Sequence, residues 1–183
     1  MIAHPAASGK KTSSIDGFLG FPWRATSMDV KMRMGLDVFD ESRAKHANQV
    51  VYMPTKNEQQ ILDCDWVTNF VFEKDRLIGG GLYREYSFFS RDASNANDNA
   101  RVLNYLAGKY GIPNFVTINE EERAPSNYKD AISAFWSGQG STIGWRDEYG
   151  NVVILSIKKS HVAITYASKY GRSVLKTEGY RGL

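Results

Sequence analysis

The amino-acid sequence carries one plan twice: a short amphipathic segment, then an aromatic-rich run of alternating residues with charged turns, over 21–89 and again over 94–167. An amphipathic helix must lay its apolar stripe on another element, and an alternating strand offers one apolar face. Each half is therefore expected to pack a helix on an antiparallel sheet. The expected fold class is α+β, with two tandem helix-plus-antiparallel-meander units packed as one compact two-layer protein. The expected boundaries are a flexible extension over 1–17, a first unit over 18–91, a second over 92–168 and a basic C-terminal tail over 169–183.

In the first unit Thr26 or Ser27 is expected to cap a helix whose first turn holds Asp29, with Met28, Met32, Leu36 and Phe39 at near-helical spacing and Gly35 weakening its end. Gln49 to Met53 reads as a strand closed by Pro54, with a polar turn over Lys56, Asn57 and Glu58. From Gln60 to Phe72, Trp66, Thr68, Phe70 and Phe72 fall on one strand face, and Val67, Asn69 and Val71 on the other. Glu73-Lys74-Asp75-Arg76 supplies a hairpin turn, and the return strand, Leu77 to Phe89, contains Gly79-Gly80-Gly81. Glycines inside a strand cost entropy and supply no packing, so a bulge or a close backbone approach is expected there.

The second unit follows a polar linker over Ser90 to Asn97, with Asp92, Ser94 and Asp98 as alternative caps of the next helix. Its stripe is Val102, Leu103, Leu106, Ala107 and Tyr110, stopped by Gly111 and Pro113. Phe115 to Asn119 reads as a strand, broken by Glu120-Glu121-Glu122 as a solvated loop. Asp130 to Trp136 fits both periods, and strand is the favoured reading. Ser141 to Arg146 and Asn151 to Lys158 form a hairpin through Asp147-Glu148-Tyr149-Gly150, and Val162 to Ala167 returns beside them. Of the four tryptophans, Trp23, Trp66, Trp136 and Trp145, at least three are expected to fill the core.

A chain of 183 residues with 42% in the hydrophobic class buries a core without a disulfide or metal staple. No apolar run approaches the roughly 18 residues of a membrane span, so no transmembrane segment is expected. Cys64 is the sole cysteine, which excludes an internal disulfide and a cysteine-cluster metal site. The net charge of +3 is uneven, because from Lys158 onward six basic residues stand against Glu178 alone. Such a tail suits anionic lipid, nucleic acid or an acidic partner, although a solvated terminus is the plainer reading. The first seventeen residues lack the apolar run of a signal peptide, which fits either a cytosolic protein or a chain whose export signal has been removed.

Motifs for chemistry are mostly missing. There is no phosphate-binding loop, dinucleotide glycine pattern or His-Glu-x-x-His zinc helix, and neither a cofactor nor a metal is expected. Gly138-Gln139-Gly140-Ser141 lacks the second glycine of a nucleophile elbow, and 92–103 lacks the glycine and terminal glutamate of a calcium loop. His4, His46 and His161 are far apart in sequence. Asp63 and Asp65 share one strand face, a pattern that suits a solvent-facing edge better than a paired-carboxylate site.

Phe21-Pro22-Trp23 with the short helix after it, Phe70-Val71-Phe72 before a charged hairpin, the helix end Lys109-Tyr110-Gly111-Ile112-Pro113, and the late Trp, Ile and Tyr strands together resemble small bacterial exported or envelope-associated α+β domains of unknown function, over about 18–168. Arg24 departs from the pattern, in which a small residue commonly follows the tryptophan, and no N-terminal lipid-attachment cysteine is present. The layout is also similar to that of tandem helix-and-sheet inhibitor proteins. The resemblance implies a periplasmic or envelope-associated location, with the cytoplasm as alternative, and allows peripheral membrane contact.

The expected function is non-catalytic binding or a structural role. Tyr83, Tyr86 and Phe89, with Lys158 and Lys159, form the candidate surface for a protein, peptide or glycan. Nucleic acid is not expected, because stacking and phosphate neutralisation must act on the same strand. The alternative is a hydrolase whose site joins His161 to Asp63 or Asp65.

Overall fold

The computed structural model describes residues 13–35, 39–43, 49–54, 59–61, 64–85, 93–119, 121–137, 142–158 and 161–177. A hairpin of β1 (Gly17–Phe18) and β2 (Phe21–Pro22) precedes helix α1 (Ser27–Met34). Strands β3 (Phe39–Arg43), β4 (Gln49–Pro54), β5 (Gln59–Ile61), β6 (Cys64–Glu73) and β7 (Arg76–Glu85) follow. Helix α2 (Ala93–Tyr110) leads to β8 (Phe115–Ile118), β9 (Glu121–Arg123) and helix α3 (Tyr128–Ser137). The chain continues through β10 (Thr142–Arg146), β11 (Val152–Ile157), β12 (His161–Ala167) and helix α4 (Lys169–Thr177).

The fold is α+β with antiparallel sheet. The main sheet runs β3-β4-β6-β7-β12-β11-β10-β8-β9, and β5 pairs with the start of β6. Its middle is the antiparallel pair β7–β12, which sets Leu82 opposite Ile164 and Gly80 opposite Tyr166. Strands from the first half of the chain lie on one side of this pair, and strands from the second half on the other.

Alternation decides the core face. Trp66, Thr68, Phe70 and Phe72 are all buried on β6, as the sequence pattern predicts. Trp66, Phe70 and Phe72 join Leu82 of β7, Ile164 of β12 and the α2 stripe Val102, Leu103, Leu106 and Tyr110 in one cluster. Gly111 ends α2 at φ 87 and donates its N–H to the Ala107 carbonyl. Helix α2 starts at Ala93, so Ser94 and Asp98 lie inside it, and Asp98 pairs with Arg84 at 3.1 Å instead of capping; Asp92 is outside the described residues. Trp66 and Trp145 are buried and Trp23 is half-buried, whereas Trp136 is 50% exposed.

The close approach expected at the triple glycine occurs at Gly80, and a bulge lies just before it. Val71 pairs with Gly79 but Phe72 pairs with Leu77, so Ile78 is the extra residue of a bulge. The Phe18 ring lies on Gly80, where an added Cβ would stand 2.2 Å from its Cδ1. The adjoining Lys74–Asp75 turn has both residues at positive φ, 48 and 57, the twist that a two-residue hairpin requires.

Helix α1 forms as expected but faces differently. Thr26 caps it reciprocally: its hydroxyl accepts from the Asp29 N–H at 3.1 Å while its own N–H donates to Asp29 at 2.8 Å. The Thr26 hydroxyl, which donates to Asp29 Oδ2 at 2.7 Å, and then the Thr26 N–H hold the Asp29 carboxyl below its usual range. Val30 is buried, whereas Met28 and Met32 are exposed, because the i,i+4 pair of Val30 and Met34, not the methionine pair, meets the core. Leu36 falls outside the described residues, and Phe39 opens β3.

Four further expectations are corrected. Asp130 to Trp136 is helical, because Ala131 and Phe135 make a one-sided i,i+4 face and the Asp130 N–H donates to Asn127 Oδ1 at 2.9 Å at its start. Glu121 and Glu122 are not loop but strand β9, turned onto β8 by Asn119 at φ 51, with Glu120 outside the described residues. The end of the supposed extension enters the core: Ile15 is buried, and its N–H donates at 3.0 Å to Asp147, which also accepts from the backbone N–H groups of Tyr149 and Asn151. The supposed basic tail begins as α4, packed on the opposite sheet face from α2.

That second face has its own apolar patch, Val71, Ile78, Phe115, Val152, Ile154 and Ala167. Helix α4 packs on β7 and β12 there. Ser168 anchors its start, donating to the Ile78 carbonyl through both N–H and hydroxyl and accepting from the Gly171 N–H. Arg172 of α4 and Arg146 of β10 share the Glu122 carboxylate, at 2.7 and 2.6 Å, and both guanidinium groups lie near the Phe115 ring.

Partial burial raises the Glu122 carboxyl, but the bonds and charges of Arg146 and Arg172 outweigh it and leave the group below its ordinary value. A carboxyl lowered by folding contributes stability above its unfolded pKa, near 4.5, that is lost as pH falls through the lowered folded value. Protection factors of α4 amides are expected to fall over that acidic window. Glu122→Gln is expected to remove the pH dependence; a wild-type profile in this variant would reject the coupling.

Candidate functional site

Among the described residues, the second sheet face beyond the patch under α4 is partly exposed on β6, β7 and β12. Strand registers set Val67 beside Tyr83 and Tyr83 beside Ala163, Asn69 beside Gly81 and Gly81 beside Thr165, and Glu85 beside His161. Because paired residues in a ladder share a face, all of these point away from α2. Val67 is 42% exposed, while Tyr83, Ala163, Thr165 and His161 are half-buried.

Tyr83 and His161 form the aromatic centre, with ring centroids 5.0 Å apart. The Tyr83 hydroxyl donates to Glu85 Oε1 at 3.1 Å. Burial first, then this bond and the Glu85 charge, raise the phenol pKa, so Tyr83 remains a neutral donor at neutral pH. Burial and the nearby Lys158 charge lower the His161 pKa, against an opposing pull from Glu85. The imidazole is therefore neutral at pH 7 and adds an aromatic surface rather than a cation.

Two sequence-predicted binding residues, Tyr83 and Lys158, thus come together with His161. Lys158 is exposed and closes the β11–β12 hairpin, donating its N–H to the His161 carbonyl at 2.8 Å. Tyr86, Phe89 and Lys159 lie outside the described residues, as does Asp63. Asp65 is exposed on β6, which β7 separates from β12, a lateral distance of roughly 10 Å from the strand of His161. Among the described residues no group of three or more metal-ligating side chains converges. No helix among them is long and apolar enough to cross a membrane.

Val67 and Glu85 are the site residues that sequence reasoning did not single out. Alternation places Val67 on the wetter face, but only the pairing of β6, β7 and β12 puts it and Glu85 beside Tyr83 and His161. A concavity of about 350 Å³ lies on the other face, between the N-terminal hairpin and α2, lined by Leu82, Tyr105, Lys109, Tyr110 and Tyr166 among others. Burial raises the Tyr166 hydroxyl far above the usual phenol value, and Tyr110 bonds to it. Comparison with family models, with curated proteins and with solved structures finds no match to this chain. The described residues define an α+β protein with antiparallel sheet.

Proposed function

We propose that this chain is a non-catalytic binding protein that docks a protein partner on the partly exposed sheet face around Tyr83 and His161. One observation carries the reading: Val67, Tyr83 and His161 are neighbours across three strands on the part of the face beyond the patch under α4. A tyrosine-centred surface with an aliphatic neighbour and flanking hydroxyl and charged groups has the make-up of an interface centre with a polar rim. Two neutral rings on a rigid sheet present contact area at small entropic cost.

The strand order also supports the tandem reading. The last strands of the two halves, β7 and β12, meet at the centre; the first half runs inward from β3, whereas the second steps from β8 out to the edge strand β9 before returning inward through β10. The resemblance to envelope-associated domains favours a bacterial periplasmic or envelope setting for the binding event.

The test is site-specific photo-crosslinking from position 67 in the native cell. A discrete crosslinked protein is expected, lost in Tyr83→Ala and in His161→Ala, while both variants keep stability within about 1 kcal/mol of the parent. Crosslinks that persist unchanged in both variants would reject the surface, and a product containing glycan instead of protein would replace the partner class.

A further inference from the structure

A second concave surface lies at the far end of β7, about 20 Å along the strand from Tyr83. It is a cleft of about 530 Å³ between Trp23-Arg24, the β6–β7 turn and the first turn of α4. Its charge is one-sided, since Arg24, Lys74, Arg76 and Lys169 line it against the single carboxylate of Glu73. The Tyr170 hydroxyl already donates to that carboxylate. Asp29 and Asp75 lie near Arg76, but among the described residues no ion pair engages Arg24, Lys74 or Lys169. Four basic residues from three separate elements thus line one space, Lys169 with its stem over Gly150, and Trp23, Leu77 and Ile78 form its apolar wall.

The backbone holds this arrangement against a local cost. Arg24 sits at φ 74, the left-handed region in which a side chain costs roughly 1 kcal/mol or more relative to glycine. Its N–H donates to the Leu77 carbonyl at 3.0 Å and its carbonyl accepts from Arg76 Nη1 at 3.3 Å. Trp23 is pinned beside it by a bond from Nε1 to the Ile15 carbonyl. The exposed Arg24 side chain makes none of these bonds, so glycine would keep them all and lose the strain. Strain retained beside a cationic cleft is the pattern of a site kept for a ligand. The amino end of α4 is not what binds, because the Lys169 and Gly171 N–H groups already donate to Asn151 and Ser168.

We propose that this cleft binds a small multivalent anion, headed by phosphate or by several carboxylates, between Arg24, Lys74 and Lys169, with any apolar body resting on Trp23. Guanidinium and ammonium groups around one head supply charge-assisted bonds, and the cleft volume falls within the range of small-molecule sites.

Calorimetric titration of the full chain at constant ionic strength tests this with inorganic pyrophosphate in one arm and citrate in the other. Saturable one-to-one binding is expected in at least one arm, and the arm that binds identifies the head group. Arg24→Gly and Lys169→Gln are each expected to weaken it about tenfold. Arg24→Gly is also expected to unfold at the same or a higher temperature, which separates lost binding from lost fold. Absence of saturable binding up to about 10 mM of either anion, or parental affinity in both variants, overturns the proposal.

Discussion

Gly80→Ala is expected to destabilise the protein by about 3 kcal/mol. Intrinsic propensity points the other way, since alanine inside a strand normally gains roughly 0.5–1 kcal/mol over glycine. The difference is Phe18. Its ring is buried, packs edge-on against Phe70 at 5.2 Å and tilted against Tyr166 at 5.2 Å, and would meet the new methyl group at 2.2 Å. Either the ring leaves the core or the central strand pair β7–β12 moves, and both disrupt the packing of Phe18 between Phe70 and Tyr166. Urea denaturation of Gly80→Ala, Phe18→Ala and the double variant separates these terms. Phe18→Ala alone is expected to cost about 3–5 kcal/mol through its cavity, and the double variant to be more stable than the sum by at least about 1 kcal/mol, because the methyl enters space the ring has vacated. Strict additivity would reject the close approach as the reason for glycine at 80.

Gly171→Ala carries the second large effect. In an isolated helix this change stabilises by about 1 kcal/mol. In α4 the added Cβ would stand 2.0 Å from the Ile78 carbonyl oxygen and 2.8 Å from its carbon, which are backbone atoms of a bulge and cannot rotate away. The same oxygen anchors α4 by accepting from the Ser168 N–H and hydroxyl. The helix must therefore lift, breaking that anchor and loosening the Arg172–Glu122 pair. A loss of about 2–3 kcal/mol is expected, with exchange of α4 amides accelerating before that of β7 and β12. A stabilised variant would show that α4 docks loosely enough to accommodate the methyl.

Local signals made much of the architecture legible. The buried face of β6, the end of α2 at Gly111, the Lys74–Asp75 turn and the β10–β11 hairpin all follow from periodicities of two or 3.6 and from turn chemistry a few residues long. The misread segments are those where the deciding neighbour is remote. Ala131 and Phe135 suit a strand as well as a helix until β8 and β10 supply the surface they cover. Lys169 to Thr177 looks like a solvated tail until the carbonyl at the β7 bulge and the Glu122 carboxylate are placed under it. The candidate site divides in the same way: Tyr83 and Lys158 are visible as residue types in the sequence, but their meeting at His161 depends on a ladder joining positions 78 apart.

By itself the sequence determined the class of the fold and the inward face of β6, because alternation and helical spacing are properties of neighbouring residues that any tertiary context must respect. Only the tertiary structure decided that the two halves join through β7 and β12, that α4 covers one end of the second face and leaves Tyr83 and His161 outside its patch, and that Arg24 reaches a cleft shared with Lys74 and Lys169. The physical reason is that pairing and burial between distant segments are chosen by free energy summed over many weak contacts, and no short stretch of sequence contains both partners of such a contact.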